Sequence, residues 1–379
     1  MISAIVNGPI FTGEELLNEH AVIIENGQIK ELILQAQLPA SITQRFDLQG
    51  NTLAPGFIDL QVNGGGGIMF NSAPSVETIR QMSAAHQQFG TTGFMPTLIT
   101  DNYDAMKSAI SAVEQAIEEG VPGVLGIHLE GPFLSEVKKG AHDASKFCAI
   151  DEQGFAIVTS MRTGKTLITI APELTESDTI TKLKAAGVII CAGHSNANYE
   201  QTITAIEAGL HGFTHLYNAM TPLLSREPGM VGAALSSNNT WFGIIADGFH
   251  MHPSAFKVAV NAKQRGGAIL VTDAMATVGS EQDYFVLDNE VIKAVNGKCE
   301  NAAGSLAGSA LDMNTAVKNA ALFAELDWQE AVRMATLYPA QALGLEQQIG
   351  LIKPGFNANF VALNTELDVQ QVWTNGSTN

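Results

Sequence analysis

The chain has 379 residues, 46% of them apolar, enough to fill one large core or two ordinary ones. Its 38 acidic residues against 20 Lys and Arg give a formal net charge of −18, which repels phosphate backbones and anionic lipid, so no nucleic-acid or membrane partner is expected. Cys148, Cys191 and Cys299 have no CxxC spacing, acidic Glu14 and Glu15 stand where a signal peptide would be basic and then apolar, and no run reaches roughly 18 apolar residues, so a reducing, cytoplasmic location is expected.

Residues 1 to about 52 read as short alternating strands with turns at Asn7-Gly8 and Asn26-Gly27. The C-terminal stretch is similar: a turn at Gly350 to Gly355, then strand candidates at Asn359 to Leu363 and Val369 to Trp373. These ends predict a small β-sandwich domain built from residues 1–52 plus 350–379. Between them, over 53–349, short β-type runs alternate with helical stretches such as Ser75 to Gln88, Asp104 to Glu119 and Tyr199 to Ala208. Eight strand candidates end near Leu60, Pro96, Leu129, Ile170, Ala192, Thr214, Ala246 and Thr272. The fold class expected is therefore α/β, a (β/α)₈ TIM-like barrel carrying the small β domain.

Chemistry in such barrels gathers at the C-terminal strand ends, and polar residues follow nearly all of them. The series is Gln61 and Asn63, Thr97, Glu130, Glu173, His194, His215, Asp247 with His250, and Asp273. A lone histidine in this series would be read as a buried ring satisfied by backbone; several acids and imidazoles at successive strand ends form a ring instead. Glu130, followed by the strand-ending Gly131-Pro132, together with His194 and His215 makes a carboxylate and two imidazoles with an open fourth position. That set suits catalytic zinc first, and also Fe²⁺, Co²⁺ or Mn²⁺. Asp273, ending the eighth strand, is placed to serve as general base and then acid, although an Asp there also caps helices.

The remaining polar positions are weaker. His128, two residues before Glu130, reads as packing behind the site, and His211 as structural. Arg226, in the turn-rich Ser225-Arg-Glu-Pro-Gly229, is either a solvated ion-pair partner or a fork for phosphate. The run Gly64 to Gly67 lacks the context of a nucleotide loop and reads as a flexible loop at the barrel mouth. On the ring pattern, a cyclic-amide hydrolase, a deaminase or a non-catalytic barrel is also compatible.

Particular motifs narrow this. They are Pro55-Gly-Phe-Ile-Asp-Leu-Gln-Val-Asn-Gly64, His128-Leu-Glu-Gly-Pro-Phe133 with Lys139-Gly-Ala-His142, Gly193-His-Ser195, and Thr214-His-Leu-Tyr-Asn-Ala-Met220. Arg226-Glu-Pro-Gly229, Ile245-Ala-Asp-Gly-Phe-His250, Val271-Thr-Asp-Ala274, Leu306-Ala-Gly-Ser309 and Ala335-Thr-Leu-Tyr-Pro-Ala340 continue the series. Over nearly its whole length the chain resembles the N-acetylglucosamine-6-phosphate deacetylases of the amidohydrolase superfamily. The resemblance implies that Glu130, His194 and His215 hold the metal and that Asp273 activates water and then protonates the leaving amine. It further implies that Ala141, His142, Asn218, Ala219, Leu306, Ala307 and Gly308 contact sugar and acetamide, while Arg226 and His250 take the phosphate. A phosphorylated amino-sugar substrate follows, and a homodimer, or a tetramer, since in relatives the arginine can come from the neighbouring subunit. The superfamily's second-metal His-x-His is Gln61-Val62-Asn63 here, and Glu173 replaces its bridging lysine, so a mononuclear site is expected.

Overall fold

The structure is a computed structural model that describes residues 2–287, 290–301, 304 and 306–378. Eight parallel strands make the central sheet: β1 (Phe57–Val62), β2 (Thr91–Ile99), β3 (Gly126–Glu130), β4 (Lys165–Ile170), β5 (Ile189–Ala192), β6 (Gly212–Phe213), β7 (Trp241–Ile244) and β8 (Ala268–Leu270). They pair in chain order. The seam between β1 and β8 is closed differently, by a Val62–Ala274 bridge, the Asp273 N–H donating to the Gln61 carbonyl at 3.1 Å, and the Asp59 carboxylate, which accepts from Thr272 N at 3.2 Å and from the Thr272 hydroxyl. The result is the expected TIM-like barrel.

Some strand ends differ from the pattern reading. β1 runs on to Val62 and β2 to Ile99, past Pro96. Proline removes a ladder donor, and the β1–β2 register shifts between Phe94 and Pro96, so the proline sits at an irregularity rather than ending the strand. The helices Val76–Gln87, Tyr103–Glu118 and Tyr199–Ala208 match the helical stretches closely. Ser75 lies just outside the first because its side chain accepts from Thr78 N as the N-cap, and Asn198 with Gln201 forms a capping box on the third.

The chain ends supply two further sheets. Gln28–Leu34, His20–Glu25, Ile2–Val6 and Arg45–Asp47 make one; Val369–Thr374, Phe360–Leu363, Thr52–Pro55 and Ile10–Phe11 lie within the other. Ile5, Val22 and Ile24 of the first pack in one buried cluster with Leu53, Phe360 and Trp373 of the second, the core of a sandwich. Met1 and Asn379, the outer ends expected for this unit, lie outside the described residues.

Two features depart from the sequence reading. The glycine run is not a flexible loop: Gly64–Gly65 pairs with Ile68–Met69, and the Gly66 and Gly67 N–H groups donate to the carbonyls of Val278 and Ala276, both at 2.7 Å. A Cβ on Gly64 would lie 2.5 Å from the Ile68 carbonyl oxygen, so the residue is required for close backbone approach rather than for mobility. Secondly, an unforeseen antiparallel sheet follows the barrel, β9 (Tyr284–Leu287), β10 (Glu290–Val295), β11 (Lys298–Glu300) and β12 (Leu306–Ser309). The Ser309 N–H donates to the Asp273 carbonyl at 2.9 Å, which ties this sheet to the barrel mouth. Among the described residues no helix is long and apolar enough to cross a membrane.

Candidate active site

Glu130 is the last residue of β3, and His194 and His215 follow β5 and β6 with positive φ of 46° and 27°. Such conformations cost energy in a non-glycine residue and are held by their surroundings. Here the His194 carbonyl accepts from Ser135 N at 2.9 Å, while the next residues are gripped by Glu173, which accepts from the Ser195 hydroxyl at 2.5 Å and from Asn196 N at 2.6 Å. The Glu173 carboxylate is thus committed to this loop. His194 Nδ1 donates to the Lys138 carbonyl at 2.9 Å, leaving the Nε2 lone pair facing inward.

The three groups converge. His194 Nε2 and His215 Nε2 are 3.1 Å apart, and lie 3.3 and 2.9 Å from Glu130 Oε1. Two imidazole nitrogens aimed at each other and at one carboxylate oxygen are the signature of ligands around a shared cation. For bonds of about 2.1 Å, tetrahedral ligand atoms stand about 3.4 Å apart, close to the observed spacing. All three side chains are buried, and the residues present fit a divalent metal ion. Burial pushes the Glu130 carboxyl upward, but the His194 and His215 imidazoles beside it outweigh this and hold it well below the usual carboxylate range. His215 is raised, because the Glu130 hydrogen bond and charge overcome its burial.

Asp273, at φ 53°, stands opposite. Its Oδ1 accepts from the Gln61 amide at 3.0 Å and from the Asn63 amide at 2.7 Å, while Gln61 Nε2 also donates to Glu130 Oε2 at 3.1 Å. One neutral NH₂ therefore bridges two carboxylates where the wider superfamily places a second cation. Among the described residues Oδ2 has no hydrogen-bond partner, and Asp273 lines the cavity, so Oδ2 is the oxygen presented to a reactant. Burial, then the Glu130 charge, raise this carboxyl above its ordinary value.

The cavity over these groups measures about 190 Å³. Of the residues expected to contact substrate, Ala141, His142, Asn218 and Ala219 line it, as do His250, Leu306 and Gly308. Ala307 does not: on alternating β12 its side chain turns into the apolar cluster with Met275 and Cys299. Arg226 is exposed and outside the lining. His250 Nδ1 is held 2.7 Å from Asp247 Oδ2, an orienting pair that keeps the Asp247 carboxyl ionised in spite of its burial. His128 lies deeper in the barrel, its ring nitrogens 3.2 Å from Thr97 Oγ1 and 2.8 Å from Thr169 Oγ1, and burial drives it down to about 4. It is a packed neutral ring, as expected. His211 accepts from Ile190 N at 3.0 Å at the opposite end of the strands, also a structural role.

Pattern reading did not find the apolar side of the cavity, Ile99, Met275 and Leu287. These residues come from three elements distant in sequence and carry no polar signal. Nor did it find Thr100, whose Oγ1 is 2.8 Å from His142 Nδ1, although it follows Thr97 and Ile99 at the end of β2. Asp59 was visible only as part of a motif; burial raises it to about 7.

Comparison with known proteins places the chain among named relatives. Residues 52–378 match the amidohydrolase family and residues 3–53 the NagA composite domain. The chain is 47% identical to an N-acetylgalactosamine-6-phosphate deacetylase of Shewanella sp. (strain ANA-3), over 87% of this chain and 84% of that protein. It is 37% identical to the N-acetylglucosamine-6-phosphate deacetylase of Haemophilus influenzae, over 98% of each. The solved N-acetylglucosamine-6-phosphate deacetylase of Pasteurella multocida superposes with a TM-score of 0.96 at 35% identity, covering 100% of both chains. One from Mycobacterium smegmatis, in complex with N-acetyl-D-glucosamine-6-phosphate, superposes with a TM-score of 0.91 at 30% identity, covering 100% of this chain and 99% of that one.

Proposed function

The chain belongs to the amidohydrolase family, and we propose that it hydrolyses the acetamide of N-acetyl-D-glucosamine 6-phosphate to D-glucosamine 6-phosphate and acetate. The observation that carries this reading is the free Oδ2 of Asp273 facing one cavity with the Glu130, His194 and His215 cluster.

Those three residues would hold one divalent cation, zinc first, with Fe²⁺, Co²⁺ or Mn²⁺ also suited to two nitrogens and one oxygen. When bound, it supplies Lewis acidity that acidifies water and polarises a carbonyl oxygen. Asp273 Oδ2 takes a proton from the water as its oxygen bonds to the acyl carbon. His142 faces the carbonyl oxygen as negative charge develops there. Asp273 then delivers the proton to the sugar nitrogen as the C–N bond breaks, releasing the amine and acetic acid, whose remaining proton passes to the amine or solvent to leave acetate. His250, oriented by Asp247, and Arg226 take the phosphate; Ala141, Asn218, Ala219 and the Leu306 to Gly308 segment, Ala307 through its backbone, contact the sugar. Because Arg226 lies outside the cavity of its own chain, its partner in this reading is the neighbouring subunit of a homodimer. In this reading residues 1–52 and 350–379 form the small β domain and residues 53–349 the hydrolase barrel of a cytoplasmic enzyme.

The 47%-identical Shewanella relative favours a second substrate, N-acetyl-D-galactosamine 6-phosphate, which differs in configuration at C4. The test is amine release by metal-loaded protein from both 6-phosphates, beside the unphosphorylated sugars and a chelated control. Chelator-sensitive release from a phosphorylated sugar supports the reading, and the ratio between epimers assigns the substrate. No release from either, with metal bound, overturns it.

A further inference from the structure

We propose that Thr100 is a positioning residue that sets the tautomer of His142, so that Nε2 carries the ring proton and faces the substrate carbonyl. The inference rests on the deacetylase reading above, which places a developing oxyanion beside this ring.

A neutral imidazole has one N–H, and which nitrogen bears it is decided by the partner of the other. The His142 ring is 5% exposed and packs against the His194 ring, 4.3 Å between centroids. Its Nδ1 lies 2.8 Å from Thr100 Oγ1, and among the described residues neither ring nitrogen has another hydrogen-bond partner. The ring lines the cavity, so with Nδ1 turned to Thr100, Nε2 is the nitrogen left for a reactant.

The hydroxyl proton decides the outcome. Thr100 is also 5% exposed, and a buried O–H is paired with an acceptor. Two are in reach, His142 Nδ1 at 2.8 Å and the Glu130 carbonyl oxygen at 3.4 Å. The first is an ordinary hydrogen-bond length and the second is at the edge of one. A hydroxyl donating to Nδ1 leaves the ring proton on Nε2, a donor aimed where charge accumulates. The opposite arrangement would put the Nε2 lone pair against that charge. Backbone geometry keeps the hydroxyl in place: a Cβ on Gly131, at φ 97°, would come 2.2 Å from Thr100 Oγ1, so the glycine after Glu130 is what makes room for it. The residue that ends the ligand strand thus also accommodates the group that orients His142.

The test combines imidazole ¹⁵N NMR of zinc-loaded protein with steady-state kinetics for wild type, Thr100→Val and Thr100→Ser. Wild type should show His142 protonated on Nε2. Thr100→Val, close in shape but without the O–H, should move the ring toward the other tautomer and lower kcat about tenfold or more, with KM and bound zinc unchanged; Thr100→Ser should restore both. A wild-type proton on Nδ1, or a Thr100→Val protein unchanged in tautomer and kcat, overturns the proposal. Should Thr100→Val not fold, the wild-type spectrum still decides. Failure of the wild type to cleave either phosphosugar would instead remove the deacetylase reading, and the spectrum distinguishes the two failures.

Discussion

The Gln61 amide donates to Asp273 Oδ1 at 3.0 Å with the same nitrogen that reaches Glu130 Oε2 at 3.1 Å. Two carboxylates this near each other repel, and Coulomb energy at short range in a buried site is large. A neutral donor between them lowers that repulsion without adding a second cation, and with Asn63 it occupies one oxygen of the base. Gln61→Leu should therefore retain the metal but lose on the order of 10-fold or more in kcat, since the base loses its orientation. Metal analysis beside kinetics decides it: unchanged kcat would show that Asn63 suffices.

Metal stoichiometry is a separate consequence. With amides at 61 and 63 and Glu173 committed to Ser195 and Asn196, the protein should bind one equivalent of divalent metal per chain. Elemental analysis after dialysis reads this directly, and His194→Ala should reduce the content to near zero. Two equivalents in the wild type would contradict the bridging role of Gln61.

Asp273→Asn preserves shape and the Ser309 backbone contact but removes the proton acceptor. General-base catalysis contributes about 10²- to 10⁴-fold, so kcat should fall by that order while metal content stays at the wild-type value. Stopped-time assays with metal-quantified samples distinguish this from a ligand loss; activity within twofold of wild type would remove Asp273 from the mechanism.

The phosphate reading makes a subunit-level prediction. His250→Ala should raise KM for the 6-phosphate on the order of 10-fold, and Arg226→Ala should do likewise. If the arginine acts across a dimer, an inactive Asp273→Asn chain co-refolded with an Arg226→Ala chain should recover part of the lost activity, because some mixed sites pair an intact cavity with an intact arginine. No recovery in mixed dimers verified by mass would place Arg226 in its own chain's site or outside the reaction.

Asp59, fully buried and raised from 3.8 to about 7, makes stability depend on pH. A carboxyl with a raised folded pKa binds its proton more tightly folded than unfolded, so its contribution is fully present below about 3.8 and is lost as pH rises toward about 7. In Asp59→Asn an acceptor oxygen remains for Thr272 N and Gln61 N, but the titration is gone. Urea midpoints measured from pH 4.5 to 7.5 should therefore fall for the wild type relative to the variant as pH rises, then run parallel. Curves parallel throughout would show that Asp59 does not titrate in this window.

Much of this protein is determined by the sequence itself. Local periodicity and caps place the helices near Ser75, Tyr103 and Tyr199, because hydrogen bonds within three or four residues decide them. Strand ends rich in His and carboxylate mark Glu130, His194, His215 and Asp273, because a barrel brings those ends together whatever lies between. What only the tertiary structure decided are relations between distant residues with no local pattern. Gln61 bridging Glu130 and Asp273, Thr100 bonding His142, and Asp59 closing the seam onto Thr272 each join different strands or loops. The glycine run at 64–67 reads as flexible in isolation and becomes a rigid turn once Ala276 and Val278 accept its N–H groups. Arg226 shows the same limit: its chemistry is legible from its side chain, but its position outside the cavity follows from how the loop after β6 packs.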